Sequence, residues 1–170
     1  TGCLVGVTFD DNLDDLYILD GSGSIANDRL GEVHVETKLP MADADASWAP
    51  SSGVNQFATI DELPASTADY NTDDTLDTTA QLFGVQDTAD TFGTVYGVQV
   101  RALASKTDNG PAKLALLGDD GTTSAPVTPT TALSVTPAYI ASQIMEVDPN
   151  DSTPWDHTLF SNYRFGYQSD

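Results

Sequence analysis

Apolar side chains recur at every second position along several segments of the chain. In residues 31–39, GEVHVETKL, the valines alternate with charged residues. This period of two is typical of a half-buried β-strand. The same alternation or a short apolar run predicts further strands in residues 94–106, 112–118, 138–148 and 159–168. No segment carries a sustained helical period, and only TIDELPAS, residues 59–66, predicts a single helical turn.

The segments between these strands are rich in Thr, Asp, Gly and Pro, which are poor helix formers and frequent turn residues. The sequence therefore predicts an all-β protein, an antiparallel β-sandwich of the jelly-roll type. A polar stretch of small residues, 41–53, predicts a linker between N-terminal strands in 1–40 and a sandwich domain in 54–170. Trp48 is the one large aromatic residue of that linker, and we expect it to pack on the domain it borders; a ligand platform is the alternative.

The strongly negative net charge of the chain limits the classes of partner that it can bind. The 170 residues include 26 Asp and Glu against six Lys and Arg, a formal net charge of −20. Nucleic acids and anionic membranes both require basic residues, so neither is expected as a partner. No apolar run is long enough to cross a membrane. High salt screens the self-repulsion of such a chain, which favours a saline environment. A merely acidic, soluble surface is the alternative.

Catalytic motifs are missing from the sequence. His34 and His157 are the only histidines, and neither stands in a metal-binding or catalytic pattern. Paired carboxylates carry no specificity in a chain with 26 acids. Cys3 is the single cysteine, which excludes an intrachain disulfide and fits a buried strand position. We expect a non-enzymatic protein without a cofactor.

Asp-rich loops suggest a structural Ca²⁺ or Na⁺, because hard cations bind several oxygen ligands on a flexible loop. None of these loops has the spacing of the twelve-residue calcium loop. In the first of them, residues 10–15, the aspartates are better explained as a turn and lead-in to a strand, solvated or hydrogen-bonded to nearby amides. The candidate metal ligands are Asp10, Asp11, Asp14, Asp15, Asp148 and Asp151.

The chain as a whole resembles the structural proteins of tailed viruses, above all viruses of halophilic archaea. The resemblance lies in short strands rich in Thr, Asp and Gly, a large Asp excess and very few lysines. It is carried by residues 30–40, 55–71, 95–118 and 138–155. It implies a virion protein that acts by assembly with other virion proteins, and it transfers no enzymatic residue.

A second resemblance is local. Leu13-Asp14-Asp15-Leu16-Tyr17-Ile18 is similar to a phrase that closes lectin-like sandwiches of the laminin-G or concanavalin type. It implies that the N-terminal residues are the end of such a unit, whose earlier strands are not in this chain. The segment begins without a charged start followed by an apolar stretch, so no signal peptide is predicted.

Together these observations predict an exterior structural component of a tailed virus in a saline environment: a capsid turret, spike, decoration, tail or fibre subunit. We expect a homo-oligomer. The candidate interface residues are Trp48, Trp155, Tyr163, Phe165 and Tyr167, unless these five fill the core. The alternative function is a carbohydrate-binding module for host-surface adhesion, with aromatic residues exposed in 55–57 and 149–158. A hydrolase on a lectin-like scaffold is a third hypothesis.

Overall fold

A computed structural model gives the structure of the protein. It describes residues 31, 33–74, 79–86 and 94–170. The chain divides into two compact units, residues 1–37 and residues 38–170. In the first unit, residues 33–37 have no regular secondary structure and Val35 is 97% exposed. The strand predicted for 31–39 is therefore wrong over its described part, and no described strand pairs with residues 33–37.

The second unit is built from short strands. They are β1 (Pro40–Asp45), β2 (Ala49–Pro50), β3 (Asn71–Thr72), β4 (Gln81–Val85), β5 (Arg101–Ala104), β6 (Lys113–Asp119), β7 (Ser124–Pro126), β8 (Thr131–Ala132), β9 (Ala138–Ala141) and β10 (Arg164–Ser169). The helical segments described are a 3-10 turn, Phe57–Thr59, and the helix α1, His157–Asn162. The 3-10 turn ends at Thr59, the first residue of the segment 59–66 for which the sequence predicted a helical turn.

All strand pairings in the described part of the chain are antiparallel. The main sheet has the order β1-β4-β10-β6-β7, and β8 also pairs with β6. Two smaller sheets pair β2 with β3 and β5 with β9. The structure confirms an all-β, antiparallel, sandwich-like fold.

The centre of the main sheet is formed by β6 and β10. Six of the seven residues of β6 are buried, which matches its nearly continuous apolar run, KLALLGD. Residue 166 of β10 must be glycine, because a Cβ there would overlap the carbonyl oxygen of Gln81 on β4. The missing side chain thus allows β10 to pair closely with β4.

The β5–β9 pair covers one part of this sheet and forms the second layer. Leu114 and Leu116 of β6 pack with Ile140 of β9 in one apolar cluster, to which β5 contributes alanine side chains. Trp48 packs on the edge of this cluster, so the predicted packing of this residue on the domain is confirmed. A second cluster combines Val98 with buried aromatic residues near α1: Trp155, Tyr163 and Phe165.

Residues 41–53, which the sequence analysis assigned to a linker, instead contain β2 and most of β1. β1 forms an exposed edge of the main sheet by pairing with β4. The turn after β1 is fixed by Gln81, whose buried Oε1 accepts hydrogen bonds from the backbone N–H groups of Ser47 and Trp48. Small and acidic residues are compatible with an edge strand, since edges are commonly protected by charge.

The helix α1 replaces the first part of the strand predicted for 159–168. Asp156 caps its N-terminus by accepting a hydrogen bond from the backbone N–H of Leu159, at 2.7 Å. Leu159 and Phe160 then pack against the aromatic cluster. Over the described residues, none of the helical segments has the length and apolar character needed to cross a bilayer.

Candidate functional site

The β5–β9 pair continues beyond its regular strands as a longer ribbon. Its register runs from Ala104 opposite Ala138 to Arg101 opposite Ala141. Past that point Val98 pairs with Met145, so three residues, 142–144, lie opposite two, 99–100. One extra residue on the β9 side is a β-bulge, which bends the strand and redirects the side chains beside it.

The two faces of this ribbon differ. Val98 and Ile140 are buried on the inner face, in the two apolar clusters. Side chains of the opposite parity point away from the sheet, because successive residues of a strand alternate in direction. We name this surface the ribbon outer face and define it by Arg101, Leu103, Tyr139, Ala141 and Ile144.

Aromatic, aliphatic and cationic groups combine on the ribbon outer face. Tyr139 is 52% exposed and lies directly opposite Leu103. The guanidinium carbon of Arg101 lies 4.6 Å from the centre of the Tyr139 ring, a cation–π contact. Ile144, 68% exposed, lies over Gly97, where an added Cβ would be 2.6 Å from its Cγ2. These side chains form an apolar surface around one fixed arginine.

The segments that build this surface contain no acidic residue. Neither 94–106 nor 124–145 includes an Asp or a Glu, although the whole chain has 26. The first segment also supplies Arg101 and Lys106, two of the six basic residues. An apolar surface without carboxylates is therefore set into an otherwise strongly acidic sequence.

An open groove of about 640 Å³ adjoins the ribbon at the bulge. Prolines and aliphatic residues dominate its lining, and none of the described lining residues is charged. The main lining residues are Pro126, Val127, Pro129, Ile144, Met145 and Pro149. The lining also includes the polar residues Thr128, Ser142 and Gln143. Ala141 and Ile144 belong to both the groove and the ribbon outer face, so the groove adjoins that surface directly.

The five predicted interface residues lie elsewhere. Trp155, Tyr163 and Phe165 are buried in the core, where their rings contact one another. Trp48 and Tyr167 are half-buried and pack edge to face, with ring centres 4.9 Å apart. These positions agree with the alternative that the sequence left open, in which the five aromatic residues fill or border the core. The sequence signal for the ribbon outer face is the absence of Asp and Glu from 94–106 and 124–145. The strand register is needed to show which side chains of these segments share one surface.

Two of the six predicted metal ligands, Asp148 and Asp151, lie in the described part of the chain. Asp10, Asp11, Asp14 and Asp15 lie outside the described residues. Asp151 is exposed, and its Oδ1 accepts a hydrogen bond from the backbone N–H of Thr153. Asp148 is buried, with 1% of its surface exposed. In the described ranges, no three Asp, Glu, His or Cys side chains come together as a metal-binding group.

Asp148 belongs to a buried polar cluster next to the aromatic core. The hydroxyl of Tyr163 donates to Asp148 Oδ1 at 2.8 Å, and the side-chain amide of Asn150 donates to that hydroxyl oxygen at 2.9 Å. Burial raises the pKa of Tyr163 well above its ordinary value, and the hydrogen bond to the Asp148 carboxylate raises it further. Nearby, Arg164 forms a short ion pair with Asp119.

The histidines do not form a site either. His34 is exposed, as predicted, and His157 is the first residue of α1, directly after the capping Asp156. Compared with known proteins, the chain matches no protein-family model, no curated protein and no solved structure.

Proposed function

We propose that this protein is a non-enzymatic structural subunit that assembles with further copies of itself through the ribbon outer face. The observation that carries the proposal is the acid-free apolar surface on a chain with a net charge of −20. Interface cores are depleted in charged residues and enriched in Tyr, Met and Arg. Tyr139, Met145 and Arg101 supply these three residue types within or beside the surface.

Electrostatics supports a second copy of the chain as the partner. Two copies repel each other at long range, and a contact that buried carboxylates would add a desolvation cost. The ribbon outer face brings no carboxylate of its own segments into the contact. Association between these acidic subunits then becomes stronger as salt screens the remaining repulsion, since the Debye length falls to about 3 Å at 1 M salt.

The biological setting that we propose is the exterior of a tailed-virus particle in a saline environment, as a capsid turret, spike, decoration, tail or fibre subunit. Its support is the resemblance of residues 95–118 and 138–155, which contain both strands of the ribbon, to such proteins. Other virion proteins are the further partners. We propose further that the sandwich has a jelly-roll arrangement. The N-terminal segment is proposed to be the end of a lectin-like unit.

Carbohydrate binding is less well supported than assembly. It requires exposed aromatic rings in 149–158 or 55–57, where a sugar ring can stack. Trp155 is only 2% exposed, and its indole N–H donates to the backbone carbonyl of Met145 at 2.9 Å. Phe57 is half-buried in the 3-10 turn. The large rings of these segments therefore contribute to packing.

The proposal is tested by the molar mass of the protein in solution, measured by light scattering at about 0.1 M and about 1 M NaCl. We expect a discrete oligomer in high salt that dissociates as the salt is removed. A monomer at both salt concentrations would rule out assembly as the function.

A further inference from the structure

We propose that Asp148 and Asn150 bind a hard cation of the Ca²⁺ type through one side-chain oxygen each. The two oxygens are Oδ2 of Asp148 and Oδ1 of Asn150. Both are buried, and neither has a hydrogen-bond partner. Each belongs to a side chain that contacts the Tyr163 hydroxyl, so the two side chains lie on either side of the same group.

The carboxylate of Asp148 is held in place by hydrogen bonds to only one of its two oxygens. Its Oδ1 accepts hydrogen bonds from the Tyr163 hydroxyl and from the backbone N–H of Asn150, both at 2.8 Å. Its backbone N–H donates to the carbonyl of Thr153, and its carbonyl accepts from Ser152, which fixes the loop. These contacts leave Oδ2 as a buried acceptor in a preformed position.

The orientation of the Asn150 amide follows from its partners. Its Nδ2 donates to the backbone carbonyl of Thr123 at 3.1 Å and to the Tyr163 hydroxyl at 2.9 Å. A carbonyl oxygen can only accept, so the NH₂ group must face Thr123. The other amide atom is therefore the oxygen, and Oδ1 is the second buried acceptor without a donor.

The local charge also favours a cation. Within the described ranges, no ion pair involves Asp148, and Arg164 is paired with Asp119. Asp119 and Asp120 lie close enough to Tyr163 for their negative charge to help raise the pKa of its hydroxyl. A buried carboxylate without a counter-charge is strongly unfavourable, and a bound cation removes that cost.

The donor set specifies the class of ion. A carboxylate and an amide oxygen, with no histidine or cysteine, select hard cations such as Ca²⁺ over transition metals. Water molecules or backbone carbonyls complete the coordination. The bound ion stabilises the loop 148–153. Because Asn150 also donates to the carbonyl of Thr123, the ion stabilises the turn 119–123 as well. Pro149 of this loop lines the groove.

The test uses Tb³⁺ as a luminescent substitute for Ca²⁺, added to the full chain in about 1 M NaCl to suppress diffuse binding to the acidic surface. The Trp155 ring contacts Tyr163, with ring centres 4.9 Å apart, so excitation through tryptophan reports on this site. We expect a saturable signal that Ca²⁺ displaces. Asp148→Asn should weaken binding about 10-fold or more, because it removes the charged ligand.

Asp151→Asn is the matched control, since it changes an exposed aspartate of the same loop whose carboxylate lies outside the proposed donor set. It should retain the affinity of the parent chain. Asn150→Ala provides a second ligand variant if Asp148→Asn does not fold, and it should also weaken binding. The proposal is overturned if the parent chain gives no saturable signal, or if the ligand variants bind as tightly as Asp151→Asn.

Discussion

The hydroxyl of Tyr163 donates a hydrogen bond of 2.8 Å to Oδ1 of Asp148 at the boundary between the aromatic core and a polar loop. Both residues are almost fully buried. The Tyr163 ring packs against Trp155 and Phe165, while its oxygen joins the loop that contains Asp148 and Asn150. This tyrosine thus couples the loop at 148–153 to the last strand of the main sheet.

Tyr163→Phe should destabilise the protein by about 2 kcal/mol. The substitution keeps the ring packing but removes the hydroxyl, which leaves a buried carboxylate oxygen with one donor fewer. The free energy of unfolding from urea titration measures the effect. Tyr139→Phe is the control: its hydroxyl belongs to a half-exposed ring, and its effect should stay within about 0.5 kcal/mol. Equal effects of the two variants would contradict the structural role of the Tyr163–Asp148 contact.

Alkaline pH should destabilise the fold through two tyrosines. Burial is the main cause that raises the pKa values of Tyr163 and Tyr167 above the ordinary 10.0. The unfolded chain then loses these protons at a lower pH than the folded chain does. The stabilisation is fully present below pH 10 and decreases as the pH rises from there toward the folded pKa values.

Phenolate absorbance during a pH titration measures this behaviour. We expect the hydroxyls of Tyr163 and Tyr167 to ionise only when the protein unfolds. In Tyr163→Phe, the number of tyrosines that ionise only on unfolding should fall from two to one. A titration in which all tyrosines ionise together while the fold is intact would contradict the predicted burial.

Gly166→Ala should destabilise the main sheet by about 3 kcal/mol or more, because the new methyl group overlaps the backbone of β4 at Gln81. Gly84→Ala, on β4 itself, is the matched control. A Cβ at residue 84 would lie 3.7 Å from the Cβ of Ala42, an ordinary contact distance. Thermal unfolding of both variants measures the difference, and a Gly166→Ala protein as stable as Gly84→Ala would show that β10 does not lie this close to β4.

The sequence predicted strands best where consecutive residues of a strand are all buried. The apolar run of β6 predicted a strand, and the structure confirms it in the centre of the sheet. The alternation in 31–39 was misleading, since residues 33–37 form no strand and pair with none of the strands that the structure describes. Helix α1 was missed although Asp156 before an apolar pair is a typical N-terminal signal. Six residues are too few for a visible helical period.

The ribbon outer face could be recognised only from the structure. The absence of acidic residues from 124–145 is visible in the sequence, but the position of the bulge and the pairing of Arg101 with Ala141 are not. Trp155, Tyr163 and Phe165, which were first assigned to an interface, are buried because large rings gain most from burial in the core. Tyr139 differs because its register places it on the outward side of the ribbon.

The most direct test of assembly through the ribbon outer face is the molar mass of two charge variants in about 1 M NaCl. Tyr139→Asp places a carboxylate in the centre of the proposed interface, and Tyr70→Asp places one on an equally exposed tyrosine, 51% against 52%, outside it. The account predicts that Tyr139→Asp is monomeric while Tyr70→Asp forms the same oligomer as the parent chain. If both variants retain the parent oligomer, or both dissociate alike, the ribbon outer face is not the interface.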